Sequence, residues 1–200
     1  PAPSRQFRAV ENTPPTPSHS TQPLGGRGGD RGGTCKTTTV SKEQEAYKLA
    51  MRWHGEQMYG GKPYEFHLQA VRDALVEFGH KDEDLLCAAW LHDIIEDTDC
   101  PVRHIADSFG PNVLHLVWMV TGFGKNRKER AADMYAKMDA FADLPPKLLK
   151  CADRIANMRA SKGTDLEQMY LKAWKDFYSN VACYLPRGLM MDELIRLHEE

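Results

Sequence analysis

The sequence lacks any long apolar run, and this absence argues against an integral membrane protein. No stretch approaches the roughly 18–20 apolar residues that a membrane-spanning helix needs, and no signal-peptide pattern opens the chain. The five cysteines are an odd number and form no CxxC motif, so we expect no disulfide framework and a cytoplasmic location. The net charge of −2 at pH 7 gives no strong signal for DNA binding.

Convincing strand alternation is also absent, and the pattern after residue 40 is helical almost throughout. Ser41 followed by Gln44 predicts a capping box at the start of the first helix. The segment YGGKPY, residues 59–64, is predicted to be a loop because of its glycines and proline. We therefore predict an all-α fold, a single helical bundle. Its further helices are expected over residues 67–78, 82–92, 101–109, 111–120, 126–141, 146–158, 166–183 and 190–198.

Residues 1–40 differ in composition from the rest of the chain. They carry most of the proline clusters, the run GGRGGDRGG and almost no large apolar residues. Such a segment cannot bury enough apolar surface to offset the entropy lost on ordering it. We predict a disordered Pro/Gly-rich tail over residues 1–40 and one domain over residues 41–200. The RGG-like run leaves a contact with RNA open, beside a plain tail.

Four ionisable residues cluster in the segment LHDIIEDT, residues 91–98. Residues four apart share a helix face, which pairs His92 with Glu96 and Asp93 with Asp97. Carboxylates buried without a counter-charge cost several kcal/mol each. Imidazole and carboxylate together suit divalent zinc, manganese, iron or cobalt. The segment therefore favours a metal site, although an adjacent His–Asp pair is common in proteins without a metal.

Two distant segments supply further candidate ligands. His67, in PYEFHLQAV, opens the helix after the glycine-rich loop, where a lone histidine is more often a capping or surface residue. Asp153, in KCADRIANM, shares a helix face with Asn157. An aspartate within an apolar helix needs a partner, and a metal is one. An ion pair with Arg154 is the alternative, which we consider weaker because neighbouring side chains on a helix diverge.

Taken in order, GKPYEFH, AAWLHDIIEDT and KCADRIANMR resemble the three signature segments of the HD superfamily. More narrowly, they resemble the hydrolase domain of RelA/SpoT-type proteins and the single-domain small alarmone hydrolases. The resemblance extends from about residue 43 to residue 159 and implies a single HD-domain helical bundle. It also implies one metal ion, usually manganese(II), held by two histidines and two aspartates. By matching position, these ligands are His67, His92, Asp93 and Asp153.

The same resemblance implies an activity. The family removes the 3′-pyrophosphate from guanosine tetra- and pentaphosphate (ppGpp and pppGpp), which releases pyrophosphate and GDP or GTP. The catalytic Glu–Asp pair of the family maps to Glu96 and Asp97, which are expected to position and deprotonate the attacking water. Asn157 matches the asparagine that contacts the nucleotide, and Tyr64 lies in the loop that borders the base pocket.

Substrate recognition is where this sequence departs from the family. The usual pattern has an Arg–Lys pair before the G-x-P-Y turn, and its arginine stacks on guanine; Met58 and Tyr59 stand at these positions here. Tyr59 can stack on a base but carries no positive charge. Arg154 and Arg159 are basic groups that could meet the other phosphates. The adenosine alarmone ppApp and a 3′-pyrophosphorylated RNA end therefore stay open as substrates.

Two other functions stay open at this stage. A generic HD phosphohydrolase that acts on another nucleotide needs neither the Glu–Asp pair nor the GKPY loop, and both count against it. Small hydrolases of this family also act as antitoxins, which makes an alarmone-synthetase toxin a candidate protein partner. All six predicted metal and catalytic residues are present, and this favours catalysis.

Overall fold

The helical periodicity of the sequence is realised in almost every element of the computed structural model, which describes residues 40–141 and 143–199. The predicted tail lies outside the described residues, apart from Val40. The helices are α1 (Lys42–His54), α2 (Glu65–Glu77), α3 (Glu83–Leu91), α4 (Ile94–Asp97), α5 (Val102–Val120), α6 (Arg127–Ala140), α7 (Leu144–Ala160), α8 (Asp165–Lys172), α9 (Trp174–Asn180) and α10 (Leu189–Glu199), with a 3₁₀ helix at Ala182–Tyr184.

Helix starts follow the capping residues in the sequence. The predicted capping box of α1 is confirmed, because the Ser41 hydroxyl accepts the N–H of Gln44 at 3.2 Å and the Gln44 side chain accepts the N–H of Ser41 at 3.2 Å. Asp82 caps α3 by accepting the N–H of Leu85. Asn126 caps α6 in the same way. These side chains satisfy N–H groups that the first turn of a helix leaves without partners.

The expectation of a plain loop over residues 59–64 was wrong in one detail. Strand β1 (Met58–Tyr59) pairs antiparallel with β2 (Lys62–Pro63), and Tyr59 lies opposite Lys62. Gly60 and Gly61 form the two-residue turn with φ values of 56° and 80°, which glycine adopts without steric cost. Strands this short carry too little alternation to be detected in the sequence.

One break in the helices was predicted from the sequence, and the breaks within residues 166–183 were not. The predicted boundary between residues 109 and 111 is present, because Gly110 has φ 84° and interrupts the helical backbone inside α5. The single helix predicted over residues 166–183 was wrong. It is broken at Ala173, where ψ is 0°, and again at Val181, where φ is −131°. Buried Tyr170 and Phe177 therefore belong to separate short helices.

Helix α3 is the centre of the fold, since all its residues from Leu85 to Leu91 are buried. It packs against α1, α2 and α5, and α2 in turn packs against α7. The four described cysteines, Cys87, Cys100, Cys151 and Cys183, are free. Within residues 40–141 and 143–199, no helix is both long and apolar enough to cross a membrane. The cytoplasmic location stays a prediction.

A buried lysine joins α6 to α7. Lys147, in the first turn of α7, is 2% exposed. Its ammonium donates to the backbone carbonyls of Met138 at 2.9 Å, Phe141 at 3.2 Å and Asp143 at 3.3 Å. The last carbonyls of a helix have no partner within that helix. Lys147 therefore satisfies backbone groups that the chain reversal after α6 would leave unpaired.

Replacing Lys147 with Met should destabilise the protein, because it keeps an unbranched apolar stem but removes the donor for these carbonyls. We expect the free energy of unfolding in urea to fall by about 1–3 kcal/mol with little change in the m value. Lys48→Met, at an exposed lysine of α1, is the matched control and should change stability by less than about 0.5 kcal/mol. Equal stability of the two variants would show that Lys147 contributes nothing.

Candidate metal centre and active site

Three distant segments meet at the C-terminal end of α3. Helix α2 contributes His67 from its first turn, and α7 contributes Asp153 from its middle. The turn between α3 and α4 contributes His92 and Asp93. The side chains of His67, His92 and Asp153 are buried. The four predicted metal ligands are therefore brought together because α2 packs against both α3 and α7.

The distances between the ligand atoms fit one divalent cation. The Nε2 atoms of His67 and His92 lie 3.3 Å apart. Asp153 Oδ1 lies 3.4 Å and 3.7 Å from these two nitrogens, and Asp93 Oδ2 lies 3.4 Å and 3.0 Å from them. Two atoms that are each about 2.1 Å from a common ion lie roughly 3.0–3.5 Å apart, and four of these five distances fall in that range. Within the described ranges, His67, His92 and Asp153 form a cluster able to hold a metal ion.

A hydrogen bond fixes the orientation of the His92 ring, and two carboxylates beside it favour positive charge. Its Nδ1 lies 2.9 Å from the carbonyl oxygen of Ala89, which can only accept, so Nδ1 donates and Nε2 faces the cluster. Burial disfavours a charged imidazole, but the carboxylates of Asp93 and Asp153 outweigh burial and raise the pKa of His92 to about 10. The site thus stabilises positive charge at the position where a metal ion would bind.

Lys150 is a member of the site that the sequence analysis did not assign. Its ammonium lies 2.7 Å from Asp153 Oδ2, so the two oxygens of Asp153 face different partners. Burial alone would raise the pKa of Asp153, but Lys150 and the histidines hold it far below its usual value. The spacing of three residues on α7 was the available signal. The alternative ion pair with Arg154 is not formed, since Arg154 instead stacks on Phe177 and donates to the carbonyl of Tyr170.

Glu96 and Asp97 lie beside the ligand cluster in different surroundings. Glu96 accepts the N–H of Gly122 at 3.2 Å and lies 3.1 Å from Nε of Arg130. Burial raises the pKa of Glu96, although the Lys150 charge opposes this. Asp97 instead accepts a hydrogen bond from Gln57 at 3.2 Å. Helix α3 ends before His92 and α4 begins after Asp93, and the N–H of Asp97 donates to the carbonyl of Asp93 at 2.9 Å, one helical turn away.

Tyr64 joins a predicted metal ligand to the Glu–Asp pair. Its hydroxyl lies 2.6 Å from Asp93 Oδ2 and 2.8 Å from Asp97 Oδ2, so one proton is shared between two carboxylates. Burial and these carboxylates raise the pKa of Tyr64 well above its usual value, which keeps the phenol protonated as a donor. Its ring stacks on His54 at 4.5 Å. The hydroxyl therefore faces the carboxylates, and the predicted place of Tyr64 in the loop that borders the base pocket stays a prediction.

A cavity of about 310 Å³ opens over the cluster and has a basic wall. Arg127 and Arg130 face it from α6, with Lys150 and Arg154 from α7. In the sequence, the basic run KNRKER at residues 125–130 could meet phosphates but favours a solvated helix face. Arg127 and Arg130 instead line the cavity, and their spacing of three residues places them on one helix face. A Cβ atom on Gly122 would lie 2.5 Å from the carbonyl oxygen of Arg130, so the loop before α6 needs glycine at this close approach.

The remaining predicted substrate residues divide between two cavities. A second cavity of about 410 Å³ is lined by Tyr59 and His67, which also line the first, and by Arg159. Arg159 is paired with Glu77 at 2.7 Å and with Glu193 at 2.8 Å. Asn157 faces the first cavity and is hydrogen-bonded to Tyr59 and Asp153.

Comparison with known proteins agrees with this arrangement. Residues 46–183 match the family model described as HD domain. The chain belongs to the HD domain family. A GTP pyrophosphokinase of Streptomyces coelicolor is 36% identical to this HD domain protein over 143 residues, which is 69% of this chain and 17% of the relative. A guanosine-3′,5′-bis(diphosphate) 3′-pyrophosphohydrolase of Aquifex aeolicus is 39% identical over 120 residues, 58% of this chain and 17% of the relative.

A solved structure extends the likeness to a protein of similar size. It is reported as a metazoan orthologue of SpoT that hydrolyses ppGpp, and it superposes with a TM-score of 0.69 at 28% identity. The match covers 80% of this HD domain chain and 97% of the solved chain. The chain spans only 17% of the two curated relatives above, so the activities in their names belong to much longer proteins.

Asp153→Ala should remove bound metal without unfolding the protein, because it deletes a ligand oxygen and leaves Lys150 without its counter-charge. We expect the variant to lose manganese on dialysis, measured by atomic emission, while its far-UV circular dichroism stays helical. Asp107→Ala, at an exposed aspartate of α5, is the control and should retain the metal. An Asp153→Ala variant that retains as much manganese as the parent would contradict the ligand assignment.

Proposed function

We propose that this HD domain is a manganese-dependent hydrolase that removes the 3′-pyrophosphate from ppGpp and pppGpp, giving GDP or GTP and pyrophosphate. The observation that carries the proposal is the joint placement of the His/Asp cluster, Glu96 and a basic wall around one cavity. The named activities of the Aquifex relative and the metazoan SpoT orthologue support the substrate. The Streptomyces relative is named a GTP pyrophosphokinase, which is a different activity, and this chain covers only 17% of that protein.

His67, His92, Asp93 and Asp153 would hold the cation. When bound, a divalent ion supplies positive charge that acidifies water and neutralises phosphate oxygens. Imidazole and carboxylate donors suit manganese, and also iron, cobalt or zinc. The choice of manganese rests on the resemblance to the alarmone hydrolases, and the donor set is compatible with it.

Glu96 and Asp97 would divide the work on the attacking water. A general base works best when its pKa lies near the working pH, and burial moves the pKa of Glu96 in that direction. Glu96 therefore accepts the proton of the water at one of its carboxylate oxygens. Asp97 is held by Tyr64 and Gln57 and orients the water beside the cluster.

The basic residues of the cavity would bind the phosphates. Arg127, Arg130 and Arg154 face the same space as Glu96, and guanidinium groups bind phosphate oxygens in pairs. Water would attack the phosphorus that carries the 3′-oxygen, and the bond between that phosphorus and the 3′-oxygen would break. The proton taken up by Glu96 would pass to the departing 3′-oxygen, and these cations would stabilise the negative charge on the phosphate oxygens. Arg159 would contribute only after exchanging Glu77 or Glu193 for a phosphate.

Glu96→Gln should separate metal binding from turnover. The amide keeps the size of the side chain but cannot accept a proton from water. We expect manganese content to stay normal while the rate of pyrophosphate release falls by about 10²–10⁴-fold. Glu129→Gln, at an exposed glutamate of α6, is the control and should keep the parent rate. A Glu96→Gln variant with the parent rate would remove Glu96 from the proposed chemistry.

The decisive experiment is a manganese-dependent product assay on ppGpp, pppGpp, ppApp and a 3′-pyrophosphorylated RNA. Pyrophosphate release from ppGpp that is lost in Glu96→Gln supports the proposal. Turnover confined to ppApp or RNA would support the proposed chemistry with a different substrate. Met58 and Tyr59, which replace the Arg–Lys pair of the family, are the reason to test these alternatives. No turnover with metal bound would contradict the proposed hydrolysis and direct the search to the alarmone-synthetase toxin.

A further inference from the structure

Tyr59 forms part of the wall between the two cavities and is held there by its surroundings. Its ring stacks on His67 with centroids 4.7 Å apart and planes 25° apart. Its edge contacts Tyr64, at 6.0 Å and 89°. Its hydroxyl reaches the side chain of Asn157, which lies 98 positions further along the chain. The β1–β2 hairpin thus delivers Tyr59 directly onto α7.

The direction of the hydrogen bonds between these residues is determined by their chemistry. Asp153 accepts on both oxygens, since the Lys150 ammonium donates to Oδ2 at 2.7 Å and the Asn157 side chain lies against Oδ1. The amide nitrogen of Asn157 must therefore face Asp153 Oδ1, which lies 2.5 Å away. This leaves Asn157 Oδ1 toward Tyr59, whose hydroxyl must donate. The order is therefore Tyr59 to Asn157 to Asp153, and the Tyr59 hydroxyl also lies within hydrogen-bonding reach of Tyr170.

We propose that Tyr59 is a positioning residue for the metal centre, acting through Asn157 on Asp153. The Asp153 oxygen that Asn157 binds is the one that lies 3.4 Å from His67 Nε2. Partners of this kind orient the carboxylate and resist its rotation away from the ion. The inference rests on the proposed role of Asp153 as a metal ligand, and it assigns Tyr59 a role other than stacking on a nucleotide base.

The two roles depend on different parts of the side chain. Stacking on a base uses the ring face, whereas positioning uses the hydroxyl. Tyr59→Phe removes the hydroxyl and keeps the ring against His67. A stacking role therefore predicts no change in metal affinity for this variant. A positioning role predicts weaker metal binding, because the Asn157 amide loses the donor that fixes its orientation.

The test is a double-mutant cycle on the full chain, with the dissociation constant for manganese measured by calorimetry. Asn157→Ala should weaken binding by about 10–100-fold, and Tyr59→Phe, one bond further away, by about 3–10-fold. The double variant should match Asn157→Ala, because Tyr59 acts through that amide. Tyr47→Phe is the matched control. Its hydroxyl donates to Glu65 at 2.9 Å, and the change should leave the affinity unaltered.

Manganese affinity in Tyr59→Phe equal to that of the parent would overturn the inference. Losses that simply add in the double variant would also overturn it, since Tyr59 would then act independently of Asn157. Hydrolysis of ppGpp by the same proteins tests the proposed function separately. A parent protein that binds manganese, shows the expected cycle and leaves ppGpp intact would contradict the function and keep the positioning role.

Discussion

Negative charge buried beside two imidazoles is the constraint on which the rest of the structure depends. Asp93 and Asp153 lie among apolar helices, where an unpaired carboxylate would cost several kcal/mol. The surrounding residues offset that cost. The imidazole of His92 and the ammonium of Lys150 lie beside the carboxylates, and the neutral side chains of Tyr64 and Asn157 donate hydrogen bonds to them. The residues that compensate these charges also surround the cavity, so the packing of the bundle and the chemistry of the cavity share the same residues.

Local signals carried most of the fold. The capping box at Ser41 and the break at Gly110 are set by neighbouring residues, which a pattern of spacing can detect. The break at Ala173 separates buried Tyr170 from buried Phe177, and nothing in the local sequence marks it. The two-residue strands of the hairpin are likewise too short to leave a periodic pattern.

The predicted metal ligands could be identified from the sequence, whereas the residues around them could not. The four predicted ligands came from the resemblance of three segments to HD proteins, and the structure brings these residues together. Lys150 and Arg130 are residue types common on helix surfaces, and only the tertiary packing turns them toward the cavity. Tyr64 lies beside the ligand cluster, and the direction of its hydroxyl depends on two carboxylates from another segment. Contact partners between distant segments are what the sequence could not supply.

The close approach of Gly122 to Arg130 links the width of the cavity to Glu96, which accepts the N–H of Gly122 and pairs with Arg130. At Gly122, the loop between α5 and α6 leaves room for a hydrogen atom but not for a methyl group. A methyl group there would displace α6 and its guanidinium groups outward while the ligand cluster, built on α2, α3 and α7, stays fixed. Related chains could therefore widen or narrow the space for phosphates through this one loop. The size of the phosphate group that fits the cavity could then differ between related chains that have the same metal ligands.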